Sequence, residues 1–106
     1  MQSNFLAEVP LGYAQLTSID SSTLVSTATF GSAVAAGIPA GTVLLLVTPQ
    51  TQAIRWRDDG TAPTAAVGYP CPAGAELRFT AASLPALRVI SQVAGAAVNL
   101  VAYGQR

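Results

Sequence analysis

The sequence predicts an all-β fold, a compact antiparallel β-sandwich or jelly-roll of about seven to eight short strands. Val, Thr and Ile recur in short apolar runs, as pleated and half-buried surfaces require. Nine glycines and seven prolines fall between those runs as punctuation. Three of the runs alternate with the period of a strand, and in two of them apolar positions oppose polar ones as in a strand covered on one face. A length of 106 residues sets the domain at 1–106, with residues 1–10 as an extended N-terminal arm.

Taken in chain order, strands are expected at Gly12–Thr17, Thr23–Thr29, Thr42–Thr48, Ala53–Arg57, Glu76–Thr80, Ala86–Val93 and Ala97–Tyr103. The Ala-rich stretch between Gly31 and Gly41 suits a short helix over Ser32–Ala36, which glycines at both ends weaken. Thr42–Thr48 is continuously apolar from Val43 to Val47 and predicts a central strand buried on both faces, a second subunit covering one of them. In Ala53–Arg57, Ile54 and Trp56 point one way while Arg55 and Arg57 point the other. Leu77 and Phe79 oppose Arg78 and Thr80 in the same manner. Val98, Leu100 and Ala102 oppose Ala97, Asn99, Val101 and Tyr103, a face so weakly polar that it too suits cover on both sides.

The turns share a pattern. Ile38-Pro39-Ala40-Gly41-Thr42 and Cys71-Pro72-Ala73-Gly74-Ala75 each precede an apolar strand. With proline second and glycine fourth, both read as type I turns. Asp58-Asp59-Gly60-Thr61 reads as a reversal after the tryptophan strand, and Thr61 to Pro72, with three prolines, as an extended loop or edge segment.

Composition excludes several kinds of chemistry. Five arginines (55, 57, 78, 88 and 106) balance five acids (Glu8, Asp20, Asp58, Asp59 and Glu76), and lysine and histidine are absent. A neutral chain with no basic block has no footprint for nucleic acid. The absence of histidine removes the commonest general base and metal ligand. Cys71, set between two prolines, has no base to activate it and reads as a passive small side chain. The five-residue run Val43 to Val47 is far short of the about 20 residues a membrane helix needs, and Met1 to Phe5 lacks the basic head of a signal peptide. We therefore assign no catalytic, cofactor-binding or metal residue, and no nucleic-acid or membrane partner.

The densest polar cluster is Arg55-Trp56-Arg57-Asp58-Asp59. Alternation buries Trp56 beside Ile54, leaves the arginines outside and gives the two aspartates to a turn. A rival use is a stacking platform for a sugar or a receptor, built on Trp56, Tyr69 and the nearby arginines. Only 9% of residues are charged while 51% are hydrophobic, so much of the surface must be neutral and neighbours must cover part of it. The candidate interface residues are Arg55, Arg57, Asp58, Asp59, Tyr69, Arg78 and Arg88, since planar guanidinium donors suit contacts between subunits.

Four segments carry a resemblance: Ala53 to Gly68, Pro70 to Leu77, Leu87 to Ile90 and Val98 to Val101. An Arg-aromatic-Arg-Asp-Asp-Gly strand and turn (Arg55 to Gly60), the Pro63-Thr64 link, the Ala73-Gly74 turn and closing strands from Leu87 to Tyr103 follow in that order. Together they resemble small virion proteins of tailed bacteriophages and prophages, and among these the head cement or decoration proteins. The resemblance covers the carboxyl-terminal half and implies a non-enzymatic β-sandwich or jelly-roll on the capsid exterior. Its implied partners are the major capsid protein and further copies of itself, a trimer being favoured over a dimer. Minor head or tail-associated proteins stay open, as does a carbohydrate- or receptor-binding module of the virion.

Overall fold

The computed structural model describes residues 8–31 and 37–105. Eight strands form two four-stranded antiparallel sheets: β1 Glu8–Leu16, β2 Thr23–Leu24, β3 Leu44–Gln50, β4 Ile54–Arg57, β5 Tyr69–Cys71, β6 Leu77–Thr80, β7 Arg88–Ser91 and β8 Ala97–Gln105. The first sheet runs β1-β8-β3-β6 and the second β2-β7-β4-β5. Four of the pairings nest inside one another: β1 with β8, β2 with β7, β3 with β6, and β4 with β5. The chain is thus one long hairpin of paired strands, rolled until β3 also meets β8 and β4 also meets β7.

Alternation along the strands, including β3 where the sequence shows a continuous apolar run, decides which side chains fill the core. Leu45, Val47 and Pro49 of β3 are buried, while Leu44, Leu46 and Thr48 stand on the outside of the first sheet, half-exposed. Val98, Leu100 and Ala102 of β8 are fully buried beside them. Ile54, Val89 and Cys71 line the second sheet's inner face, and Phe79 reaches in from β6. Each large aliphatic group so enclosed contributes about 1.5–3 kcal/mol. Ile19, Val25, Phe30, Leu84 and Leu87 complete the same cluster.

Several expectations are corrected here. Within one chain β3 buries one side in the core and presents the other on the outer surface of its sheet, the side for which cover by a second subunit is expected. The strand also lies two residues later than Thr42–Thr48, and takes in Pro49. Proline is tolerated because β6 pairs only as far as Val47. The Pro49 carbonyl turns away from β8 to accept the Gly74 N–H (2.8 Å), so its missing N–H lies on that vacant side. Thr23–Thr29 is strand only at Thr23–Leu24; Val25–Thr27 is a 3-10 turn, in which Thr27 Oγ1 donates to the Leu24 carbonyl (2.7 Å). Ala86–Val93 contracts to Arg88–Ser91, since Ala81–Ala86 forms another 3-10 segment containing Pro85.

Both Pro-Ala-Gly turns begin on the proline itself. Thr42 N–H donates to the Pro39 carbonyl and Ala75 N–H to the Pro72 carbonyl, each at 3.2 Å. That puts Gly41 (φ 85°) and Gly74 (φ 87°) at the third position, where a type II turn demands positive φ, rather than in the type I register. The segment around Tyr69–Cys71 is an edge strand, as one of the two readings of Thr61–Pro72 had it. Residues Glu8 to Pro10, assigned to an arm, already belong to β1. The remaining arm residues, Met1 to Phe5 and the helix at Ser32–Ala36 lie outside the described residues.

Candidate functional site

The candidate residues divide between the two outer faces of the sandwich. Arg55, Arg57 and Arg88 share the outer face of the second sheet, where Arg57 lies directly opposite Arg88 and Arg55 opposite Ile90. Asp58 and Asp59 follow at the end of β4. Arg78 is remote from them, on the outer side of β6 in the other sheet. It makes an ion pair with Glu76 at 3.3 Å. The structure therefore brings five of the seven together, sets Tyr69 beside them on the neighbouring strand β5, and separates Arg78.

Within the cluster the three arginines have different tasks. Arg55 donates from Nε to the Ala65 carbonyl (3.0 Å) and from Nη1 to the Gly68 carbonyl (2.9 Å). It thereby clamps the proline-rich loop onto the sheet, with Pro63 buried beneath. Arg57 grips both oxygens of Asp59 in a fork, Nε lying 3.1 Å from Oδ1. The same Oδ1 accepts the Thr61 N–H (3.2 Å), which turns the chain as Asp58-Asp59-Gly60-Thr61 predicts. Arg88 is half-buried, and its side chain makes no hydrogen bond or ion pair among the described residues. Two guanidinium groups directly opposite on paired strands repel. Asp59 offsets the charge of Arg57, and among the described residues no acid pairs with Arg88.

Tyr69 projects from β5 on the side of Trp56, its partner in the register. The residue is 62% exposed, and its ring lies 4.9 Å from the indole at a tilt of 31°. Phe79 meets the indole edge-on, with centroids 4.8 Å apart. Trp56 is therefore held between two rings and packs on the core, as the alternation with Ile54 implied. Cys71 is buried, and desolvation pushes its thiol above the usual range, which suits a passive role.

The arginine-led reading missed the outer face of the first sheet. Register sets Leu44 beside Tyr103, Leu46 beside Val101, and Val101 beside Tyr13. These five form an apolar band with Tyr13 52% exposed. An amide row adjoins it: Gln15 is paired with Asn99, and Asn99 with Thr48. Tyr13 donates its hydroxyl to Asn99 Oδ1, and Gln15 Nε2 donates to Gln50 Oε1 (2.8 Å). The continuous Val43 to Val47 run and the weakly polar side of β8 were its signal in the sequence. Among the described residues no group of metal-ligating side chains converges, and no helix is long and apolar enough to cross a membrane. An open pocket of about 330 Å³ lies between Ser26, Ile38, Pro39, Thr42, Leu84 and Pro85, and its described side chains are hydroxyl and apolar.

No family model, curated protein or solved structure matches this chain.

Two carboxylates respond to their surroundings. The Gly95 N–H, donating at 3.1 Å, holds Asp20 below the ordinary carboxylate range. The Arg57 guanidinium, then the Thr61 N–H, does the same for Asp59. A depressed folded pKa gives stability that is fully present above the unfolded value near ~4 and is lost as pH falls through the folded value. Melting curves from neutral pH into the acid range should therefore fall below about pH 4. In Asp20→Ala and Asp59→Ala the fall should be shallower, each variant being weaker than the parent at neutral pH and approaching it in acid. Equal acid sensitivity in all three proteins would refute the assignment.

Proposed function

We propose that the chain is a non-enzymatic structural protein of a tailed-bacteriophage virion, a cement or decoration module that holds neighbouring major capsid subunits together on the head exterior. The carrying observation is that the sandwich has two unfinished faces back to back. One is apolar and amide-rich, with Leu44, Leu46, Val101 and Tyr103 outermost. The other bears Arg88 without a partner among the described residues. A small unit with contact surfaces on opposite sides is suited to bridging. The nested strand pairing supports the reading further, because we take it as the wiring of a jelly roll, an architecture found in capsid and lectin domains. Fold alone names no function, so the faces carry the argument.

The mechanism is mass action. A protein that binds only the assembled shell stabilises it by RT ln(1 + [L]/Kd), and a shell presents the same contact many times by symmetry. Modest single contacts become strong when several engage together. The purified protein should cosediment with emptied phage heads and raise the temperature at which they come apart. Arg88→Glu should weaken that association while leaving the fold intact. Heads that neither bind the protein nor change in stability would overturn the proposal.

A second reading rests on the exposed Tyr69 ring, which a sugar-binding virion module would use for stacking. Titration of the Trp56 fluorescence with a panel of neutral and acidic sugars tests it. No response across the panel would remove it.

A further inference from the structure

We infer that the outer face of the β1-β8-β3-β6 sheet is where two copies of this chain pack, face to face, across a two-fold axis running along the strands between β3 and β8. The inference deepens the proposed function by naming the surface through which the protein meets itself.

Charge and symmetry select that arrangement. The face has a single cation among the described residues, Arg78, on its β6 border, where Leu46 is its register partner and Glu76 an exposed ion-pair partner that screens its charge only in part. Packing two such faces about an axis running across the strands, through the apolar band, would set Arg78 against the Arg78 of the second copy. Like charges brought together at an interface are costly. An axis along the strands instead exchanges β3 with β8 and β6 with β1, because the sheet order β1-β8-β3-β6 has two strands on either side of it. Rows of residues then keep their level. Leu46 meets Val101 of the second copy, Leu44 meets Tyr103, and Thr48 meets Asn99, so apolar rows cover apolar rows and the amide row covers itself. Arg78 lands over Tyr13 of the second copy. There an exposed ring takes a guanidinium whose side chain is 65% exposed, a cation–π contact in place of a repulsion. An isologous contact of this kind closes at two copies, which disfavours the trimer expected from sequence.

The area predicts how tight the pair is. Four strands at about 4.8 Å and the seven residues of β3 at about 3.3 Å give a face of roughly 440 Å², or about 900 Å² for both copies. Stable complexes bury upwards of about 1,200 Å². The pair should therefore form and dissociate with concentration rather than persist.

Sedimentation equilibrium of the free protein between about 1 μM and about 1 mM tests this, since weak contacts fall in that range. The mass should rise from one chain to two. Leu46→Glu should remain at one, and Val67→Glu, a change at an exposed apolar side chain outside this sheet, should behave as the parent does. Circular dichroism checks that each variant is folded. If Leu46→Glu fails to fold, Arg78→Ala and Tyr13→Ser decide, each being expected to weaken pairing about tenfold, the effect of ~1.4 kcal/mol. A parent that stays single at the highest concentration, a trimer, or pairing untouched by these substitutions would overturn the inference. Heads bound by a protein that remains monomeric would refute the pairing and leave the proposed function standing. A two-fold pair that ignores heads would do the reverse.

Discussion

Trp56→Ala is expected to lower the stability of the domain by about 3 kcal/mol, near the lower bound for removing a large aromatic group because the indole is half-buried. At roughly 4–8 °C per kcal/mol, the melting temperature should drop by more than about 10 °C. The indole fills the space between Tyr69 and Phe79 and packs on the core, so its loss leaves a void that short side chains cannot close. Tyr69→Ala removes one ring contact from an exposed position and should cost about 1 kcal/mol. The pair of measurements separates two roles for the aromatics. A Trp56 variant as stable as the parent would mean the indole is not structural, and the stacking-platform reading would gain accordingly.

Gly68→Ala should be nearly as damaging, again about 3 kcal/mol, although it adds a single methyl group. Gly68 has φ 141°, a conformation that L side chains avoid. A Cβ there would stand 3.1 Å from Pro63 Cβ, 3.2 Å from Arg55 Cβ and 3.3 Å from the Trp56 carbonyl oxygen. The Gly68 carbonyl also receives the Arg55 guanidinium, so any shift that relieves the crowding loosens the clamp on the loop. Gly74→Ala is the matched control. Its φ of 87° is also positive, but nothing lies within 4 Å of the added atom, so only the backbone cost of about 1–2 kcal/mol applies. Denaturant melts of both variants check the difference. Equal losses would show that the crowding around Gly68 is relieved without cost.

Alternation made β4, β6 and β8 legible. Ile54 and Trp56 against Arg55 and Arg57, Leu77 and Phe79 against Arg78, and Val98, Leu100 and Ala102 against their neighbours all segregate as the period of two requires. Where the chain leaves that period, legibility ends. Ala81–Ala86 has no alternation and forms a 3-10 segment. Tyr69–Cys71 is three residues long with a proline in the middle, too short to differ from loop by pattern alone. The turn register turned on which residue accepts the closing hydrogen bond, a choice that two glycines at equivalent spacing do not reveal.

The candidate surfaces were less legible. Charge drew attention to the arginines, yet Arg55 is occupied by carbonyls of the following loop and Arg57 by Asp59 two residues on, local contacts that depend on how the turn and loop fold back. The apolar band of the first sheet is assembled from three strands far apart in sequence, Tyr13, Leu44 and Leu46, and Val101 and Tyr103. No local window contains it. The continuous run from Val43 to Val47 announced that something would lie outside β3, and the register supplies the neighbours that make it a surface.

The nested pairing also governs when this protein can acquire its shape. The innermost couple, β4 with β5, is separated by a short stretch of chain and can close early, whereas β8 must travel back to lie between β1 and β3. Closing distant segments is entropically slow, so acquisition of the native state should be rate-limited by that late arrival. During synthesis on the ribosome β3 waits with both hydrogen-bonding edges bare until first β6 and then β8 emerge. A greasy, unpaired strand held open for that interval is where nascent copies would stick to one another, so slowing production or lowering temperature should raise the soluble yield.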